Sequence, residues 1–372
     1  MQTISASQVI QSSAVEYLDN VGEPKYEVNG TVFTGLWYRP QNDGPALRAT
    51  VYMKFASVYR KFEGEKASEF IKNVLYANSN GTWGLIKSKS IQFSVTKTEL
   101  ALHFEDLKFP SSVVSADLEY IANHWQDISF DLWEEVRGHH FFTFSMIYRA
   151  LREGSSFARQ MNDTGAASWY QNQADKVADQ LELFWDTKAG YIITGRDLIY
   201  TYDKISGLDA GTILAFLHAG TYIPKDLRLG SLKTMKTFQA LLNASSSIYP
   251  LNPKYQNYTA KPIGRYPEDA YNGTQRGYGN PWFLTTLAMS EYLYRLPSLA
   301  GSERFIYQNV GLSAKKVADE FLTIVCQSAS INGSLHEEFD RNFGSGVGAR
   351  DLTWSHVAFL SMNRARSGLP EF

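Results

Sequence analysis

A single cysteine, Cys326, in 372 residues leaves no intrachain disulfide framework. Charge of one sign is also missing. With 36 Lys plus Arg against 38 Asp plus Glu, there is no basic field for a phosphate backbone, so nucleic acid is not an expected partner. No run is long and apolar enough to span a bilayer as a helix, and no membrane partner is expected. Histidine is sparse: of seven, His139 and His140 are adjacent and His356 stands alone. None of this has metal-ligand spacing, so no metal and no cofactor are expected. The opening MQTISASQVIQSS has neither the basic nor the apolar stretch of a secretory signal. Against that stand seven Asn-x-Ser/Thr sequons, at Asn29, Asn80, Asn162, Asn243, Asn257, Asn272 and Asn332, which favour the secretory pathway.

What the chain does have is aromatic residues, 14% of the total. Most belong in a large core, and the remainder suit platforms on which the C–H faces of sugars stack. Helical periodicity dominates. After Pro45, Leu47, Val51, Tyr52, Phe55 and Tyr59 share one face; Val177, Leu181, Phe184 and Trp185 repeat the spacing, as do Val317, Phe321, Ile324 and Val325 behind a Ser313 cap. Strand-like runs are few, and 191–195 with 197–202 predict one small hairpin. The fold class expected is all-α, in one domain spanning 1–372.

Two acidic clusters carry the candidate chemistry. FDLWEEVRG at 130–138 gathers Asp131, Glu134 and Glu135 around Trp133, ahead of a helical run expected to begin near His139. Mutual repulsion and a desolvating indole raise the pKa of any carboxyl turned inward. A solvated acidic face before a helix is the commoner meaning of such a cluster. Far downstream, GSLHEEFDRNFG holds Glu337, Glu338 and Asp340, followed by ARDLTWSH with Arg350, Asp351 and Trp354. Glycoside hydrolysis needs two carboxyl groups, and loops far apart in sequence can supply them. Between the clusters, Arg265 in GRYPEDAYNGTQRGYGNPWFL suits either a clamp on sugar hydroxyls or an ion pair with Glu268 or Asp269.

These blocks resemble those of the fungal and yeast glucoamylases, glycoside hydrolase family 15: GEPKYEVNGTVFTGLWYRPQNDGPALRAT at 22–50, FDLWEEVRGHHFF at 130–142, SGLDAGTILA at 206–215, the GRYPEDAY and GNPWFL segments within 264–284, and NGSLHEEFDRNFG with ARDLTWSH within 332–356. The resemblance implies an (α/α)6 toroid and an inverting hydrolase that frees glucose from non-reducing ends of α-1,4-glucans such as starch. A monomer with an α-glucan as its partner is implied too. Residue by residue, it implies Glu134 as general acid, Glu337 as general base and Asp131 as an acid/base participant supporting Glu134. It implies Glu135 and Arg265 as ligands of sugar hydroxyls, Trp37 as a cover for bound sugar and Trp354 as an aromatic wall. Phe339 stands where the family often has Tyr, and Glu338 where it commonly has Gln.

Two departures shape further expectations. The family's opening Trp-Thr-Arg-Asp segment has no counterpart in these residues, and the stretch from about 62 to 112 matches poorly and reads as an insertion. The toroid is therefore expected to lack its first helix and part of the subsite for the departing glucose. A catalytically weak homologue that at most binds glucans is the alternative; a trehalase is disfavoured by the DLWEEV and RYPED blocks.

Overall fold

The structure is a computed structural model that describes residues 21–31, 33–35, 37–76, 113–199, 204–296 and 313–370. The chain divides into two compact units, Met1–Glu135 with Met146–Val177, and Val136–Ser145 with Ala178–Phe372. Ten α-helices and a few short antiparallel strands are found among the described residues, so the all-α expectation holds. No helix among them is long and apolar enough to cross a membrane.

In the first unit, α1 (Asp43–Glu63) begins with Pro45 in its opening turn, where a missing N–H costs nothing. It buries Ala46, Ala49, Tyr52, Met53 and Ala56. This corrects the predicted face: Leu47, Val51 and Phe55 are exposed. The small alanines allow close approach to α3 (Val113–His124), so packing distance selects this stripe over the bulkier one beside it. Gly64, at φ +57°, separates α1 from α2 (Glu65–Phe70), which runs into a wider π turn at Ile71–Tyr76. Of the expected insertion at 62–112, residues 62–76 are therefore helical for the most part, with Ile71, Leu75 and Tyr76 buried; residues 77–112 lie outside the described ones.

The pair that locks α1 to α3 is a buried fork. Arg48 donates from Nη2 to Asp117 Oδ1 at 2.6 Å and from Nε to Oδ2 at 3.2 Å, while Nη2 also reaches the Val21 carbonyl at 2.8 Å. Burial lifts the Asp117 carboxyl to about 6 in spite of the guanidinium, so the pair is fully charged only toward neutral pH. Further bonds gather α5 (Thr164–Glu182) onto the same helix: Tyr170 donates to Glu119, and the Trp125 indole donates to Gln173.

The second unit is organised around α8 (Phe283–Arg295), whose residues from Phe283 to Tyr294 are all buried. A helix covered on every side must satisfy its polar residues internally. Thr285 donates to the Ile263 carbonyl, Ser290 to the Ala318 carbonyl, and Glu291 accepts from Arg295 and Ser361. Packed against it are α9 (Ala314–Ser328), capped by Ser313 as predicted, and α10 (Thr353–Arg366). Val317, Phe321, Ile324 and Val325 are buried as expected. Phe141 and Phe184 at the starts of α4 (Phe141–Gln160) and after α5 meet edge to face, and Phe141 meets Phe216 of α6 (Gly211–Ala219). Phe238 of α7 (Leu232–Ser245) stacks on Tyr292 of α8. Much of the aromatic excess is thus core.

The predicted hairpin is not formed as drawn. Tyr191–Ile192 (β4) pairs with Trp185–Asp186 (β3), and Gly195–Ile199 (β5) pairs with Arg137–His140 (β2); the described helix α5 accordingly ends before Phe184 and Trp185. Because β5 has a partner from the 130–140 block, the acidic turn at Asp131–Glu135 is followed by a strand, and the next helix starts at Phe141 rather than near His139. Asp117→Ala should cost about 3–5 kcal/mol at pH 7 because Arg48 is then a buried, unpaired charge, whereas Arg48→Met with Asp117→Leu should lose far less. Chemical denaturation of the three proteins checks this, and equal losses would contradict a buried ionic fork.

Candidate active site

The acid cluster of the first unit is built on a tight turn. The Glu134 N–H donates to the Asp131 carbonyl at 2.9 Å, and the Glu135 N–H donates to Asp131 Oδ1 at 2.8 Å. Asp131 is buried, and its carboxylate shapes the backbone that presents the two glutamates. Glu134 itself lies at φ +63°, in the left-handed region that costs a side-chain-bearing residue roughly 1–3 kcal/mol. That strain persists because the turn is fixed at its start: the Phe130 N–H donates to the Pro40 carbonyl, and the Tyr38 and Phe130 rings lie 5.1 Å apart. Trp133 turns into the protein, while Glu134 and Glu135 remain half-buried.

The segment ahead of α1 and the first residue of that helix contribute two more groups. Arg39 ties its loop together, donating to Glu23 at 2.6 Å and to the carbonyls of Phe33, Gly35 and Trp37. The Trp37 indole so presented has the Lys25 ammonium 3.1 Å above its centroid, a cation–π contact that covers one face. Its N–H is shielded from solvent and meets no acceptor. Asp43 is a residue that the sequence reading passed over. Burial raises its carboxyl to about 6; the N–H groups of Asp43 and Gly44 offset part of that rise, and the charges of Asp131 and Glu134 add to it. Its Oδ1 has no hydrogen-bond partner.

The second unit holds the other cluster. Arg265 forms a bidentate fork with Asp269, 2.8 Å from Nε to Oδ2 and 2.7 Å from Nη2 to Oδ1, and its guanidinium lies 5.1 Å from the Tyr271 ring and 5.4 Å from the Trp282 ring. Of the two ion-pair partners open to it, Asp269 is the one used; Glu268 instead accepts from the N–H and hydroxyl of Ser206. Asp269 Oδ1 also accepts from the Tyr271 N–H, so the fork sets the course of the loop carrying Tyr271.

Glu337 precedes β6 (Glu338–Phe339), which pairs with β7 (Gly346–Val347). Its Oε2 accepts from the Ala349 N–H at 3.1 Å and, more loosely, from the Tyr271 hydroxyl at 3.5 Å. Tyr271 stays protonated and able to donate, because burial and the nearby Glu337 and Glu338 push its phenol up to about 12. Gly348, at φ +73°, passes so close that a methyl group there would lie 2.6 Å from Glu337 Oε2. Glu338 is fully buried, and burial is the main cause that pushes its carboxyl up to about 8; Glu337 and Asp269 add to the rise, while Asn280 and Arg265 oppose it. Trp354 sits in the first turn of α10, partly exposed. That turn is anchored by Ser355, which donates to the His336 carbonyl at 2.8 Å.

Asp131, Glu134, Glu135 and Trp37 thus belong to the first unit, and Arg265, Glu337 and Trp354 to the second. The family model for glycosyl hydrolases family 15 matches residues 1–364. The chain belongs to glycosyl hydrolase family 15. Among relatives of this family, it is 32% identical over 379 residues to Glucoamylase 1 of Rhizopus oryzae, covering 94% of this chain and 56% of that protein. It is 30% identical to the probable glucoamylase of Schizosaccharomyces pombe, covering 97% of this chain and 73% of the other. The chain therefore spans little more than half the length of the Rhizopus protein. A solved glucoamylase from Saccharomycopsis fibuligera superposes with a TM-score of 0.76 at 25% identity, over 99% of this chain and 79% of that one. The family 15 glucoamylase from Hypocrea jecorina gives 0.77 at 27%, over 100% and 60%. The fold is that of the family 15 glucoamylases, the (α/α)6 class expected from the sequence.

The Asp43 carboxyl supplies a pH test of this family 15 site. Its folded pKa lies above the ordinary 3.8, so its neutral form favours the fold; the stability is complete below about 3.8 and is lost as pH rises through about 6. Asp43→Asn should therefore gain on the parent by roughly 3 kcal/mol between pH 4 and pH 7. Parallel melting curves across that range would contradict a carboxyl buried as described.

Proposed function

We propose that this chain releases glucose from non-reducing ends of α-1,4-glucans with inversion at the anomeric carbon. The observation that carries the reading is the contrast between two carboxyl environments within a family 15 chain. Glu134 is presented on a strained turn that the buried Asp131 carboxylate shapes by accepting from the next N–H, and it receives no donor comparable to those on Glu337 among the hydrogen bonds of the described residues. Glu337 is held as an acceptor by the Ala349 N–H and the Tyr271 hydroxyl, as a base requires.

In the proposed reaction the Glu134 carboxyl gives its proton to the glycosidic oxygen as the bond from that oxygen to C1 breaks. A water attacks C1 from the opposite side and passes a proton to Glu337. The products are β-glucose and a glucan one residue shorter, and the site is reset when Glu337 returns its proton to solvent and Glu134 regains one. Glu135, Arg265, Trp37 and Trp354 are proposed to bind the sugar. The Trp37 ring face away from Lys25 suits stacking on a sugar. Asp131 is proposed to support Glu134 through the turn that it bonds.

Glu134→Gln should lower maltose turnover by about a hundred- to ten-thousand-fold with the melting temperature little changed. Its loss on α-glucosyl fluoride, whose leaving group needs no proton, should be much smaller, whereas Glu337→Gln should lose both activities. Equal losses on the two substrates for Glu134→Gln would remove it from the acid role. Proton NMR of fresh product should show the β anomer, and α-glucose would contradict inversion.

A further inference from the structure

The mechanism leaves Glu338 unused, a buried ionisable group next to the proposed base. Its Oε2 accepts from Asn280 Nδ2 at 2.8 Å, and its Oε1 has no partner and no contact with solvent. Asn280 spends its remaining bonds on backbone: Nδ2 also donates to the Asn272 carbonyl at 3.2 Å, and Oδ1 accepts from the Arg341 N–H at 3.1 Å. Through Asn280, the Glu338 side chain is therefore tied to the loop that follows Tyr271 and to its own strand connection. The backbone of Glu338 is enclosed as well, paired with Val347 on one side and bridged to Trp282 on the other.

Space around this bolt is exhausted. A methyl on Gly273 would lie 2.8 Å from the Gly348 Cα and 3.1 Å from Glu338 Oε2, so the 272–274 backbone rests directly on the 347–349 backbone. Those two segments adjoin Tyr271 and Ala349, the donors to Glu337. The groups whose charge Glu338 feels are Glu337 and Asp269, which disfavour its ionised form, and Arg265, which favours it but is committed to the Asp269 fork. Tyr249 and Tyr271, also close, are phenols whose own pKa values are raised and which remain neutral.

We propose that Glu338 is a positioning residue whose neutral carboxyl clamps the Tyr271 loop against the Gly348 segment, and whose ionisation forces those segments apart and releases Glu337 from its donors. The proposal rests on the assignment of Glu337 as base. A charge formed in this dry pocket has one amide N–H for two oxygens and needs water. Water has no room between Gly273 and Gly348 unless the two segments separate. The group is protonated through the acid and neutral range, since it titrates only near pH 8. Glu338→Gln keeps the acceptor for Asn280 and removes the charge, whereas Glu338→Ala removes the clamp at every pH.

The test is the pH profile of kcat/KM on α-glucosyl fluoride, chosen because the state of Glu134 matters little when fluoride departs. The parent should lose activity near pH 8. Glu338→Gln should match it at pH 5 and move that fall upward by about one unit or more, while Glu338→Ala should lose on the order of a hundredfold in kcat throughout. Melting temperature read against pH needs no activity: Glu338→Gln should gain on the parent as pH rises from about 5 to 8, since stability from a raised carboxyl pKa is lost over that interval. Superimposable kinetic profiles for parent and Glu338→Gln, or parallel melting curves, would overturn the proposal. A parent inert toward both maltose and α-glucosyl fluoride would instead defeat the proposed function, and the melting comparison would still report on Glu338.

Discussion

A guanidinium cut off from water must find its counter-charge inside the protein, and the geometry of that meeting fixes whatever backbone carries the partner. Each unit depends on one such fork. Arg48 with Asp117 holds α1 on α3, and thereby fixes Asp43 at the start of α1 and the segment ahead of it that carries Trp37. Arg265 with Asp269 does the same in the second unit, because the same Asp269 oxygen that receives the guanidinium also receives the Tyr271 N–H. The Arg265 carbonyl in turn accepts from Ala210, joining this loop to the start of α6. A second buried pair, Lys204 with Asp209 at 2.7 Å, supports that junction, and Asp209 also accepts from the Gly211 N–H. Neither fork donates or removes a proton. Both determine where the groups that do so are held.

Carboxyl groups around the candidate site differ in their burial and in the donors that reach each oxygen. Asp131, Asp269 and Asp209 accept from backbone N–H groups and serve as structural acceptors. Asp43 and Glu338 each keep one buried oxygen without a partner, and both are pushed toward the neutral form. Glu337 takes two donors on one oxygen, the Ala349 N–H and the Tyr271 hydroxyl. One functional group thereby serves as brace, proton store and acceptor, with burial and the local supply of N–H and O–H groups making the distinction.

Much of the fold was legible because helices announce themselves by period and cap, as the Ser313 cap and the buried Val317, Phe321, Ile324 and Val325 show. Periodicity failed on α1, where two adjacent stripes have helical spacing and only the distance to α3 decides between them. It failed again for 191–202, since strand pairing depends on partners far away in sequence: β5 joins β2 across more than fifty intervening positions. In the candidate site, the blocks marked Glu134, Glu337 and Arg265, and spacing even named Asp269 among the partners of Arg265. Asp43, Tyr271, Asn280 and the glycines at 273 and 348 carried no chemical signal of their own, because their importance lies in what they touch.

The contact between Gly273 and Gly348 also bears on how this protein can vary. Neither position accepts a side chain without moving backbone or the Glu337 carboxylate, so this patch is closed to substitution. The adjoining residues 274–278 are all exposed, including Tyr278, which lies against Arg341. Beside this contact, variation that leaves the base undisturbed has a five-residue window, and mutational tolerance should change abruptly from one residue to the next at its edge.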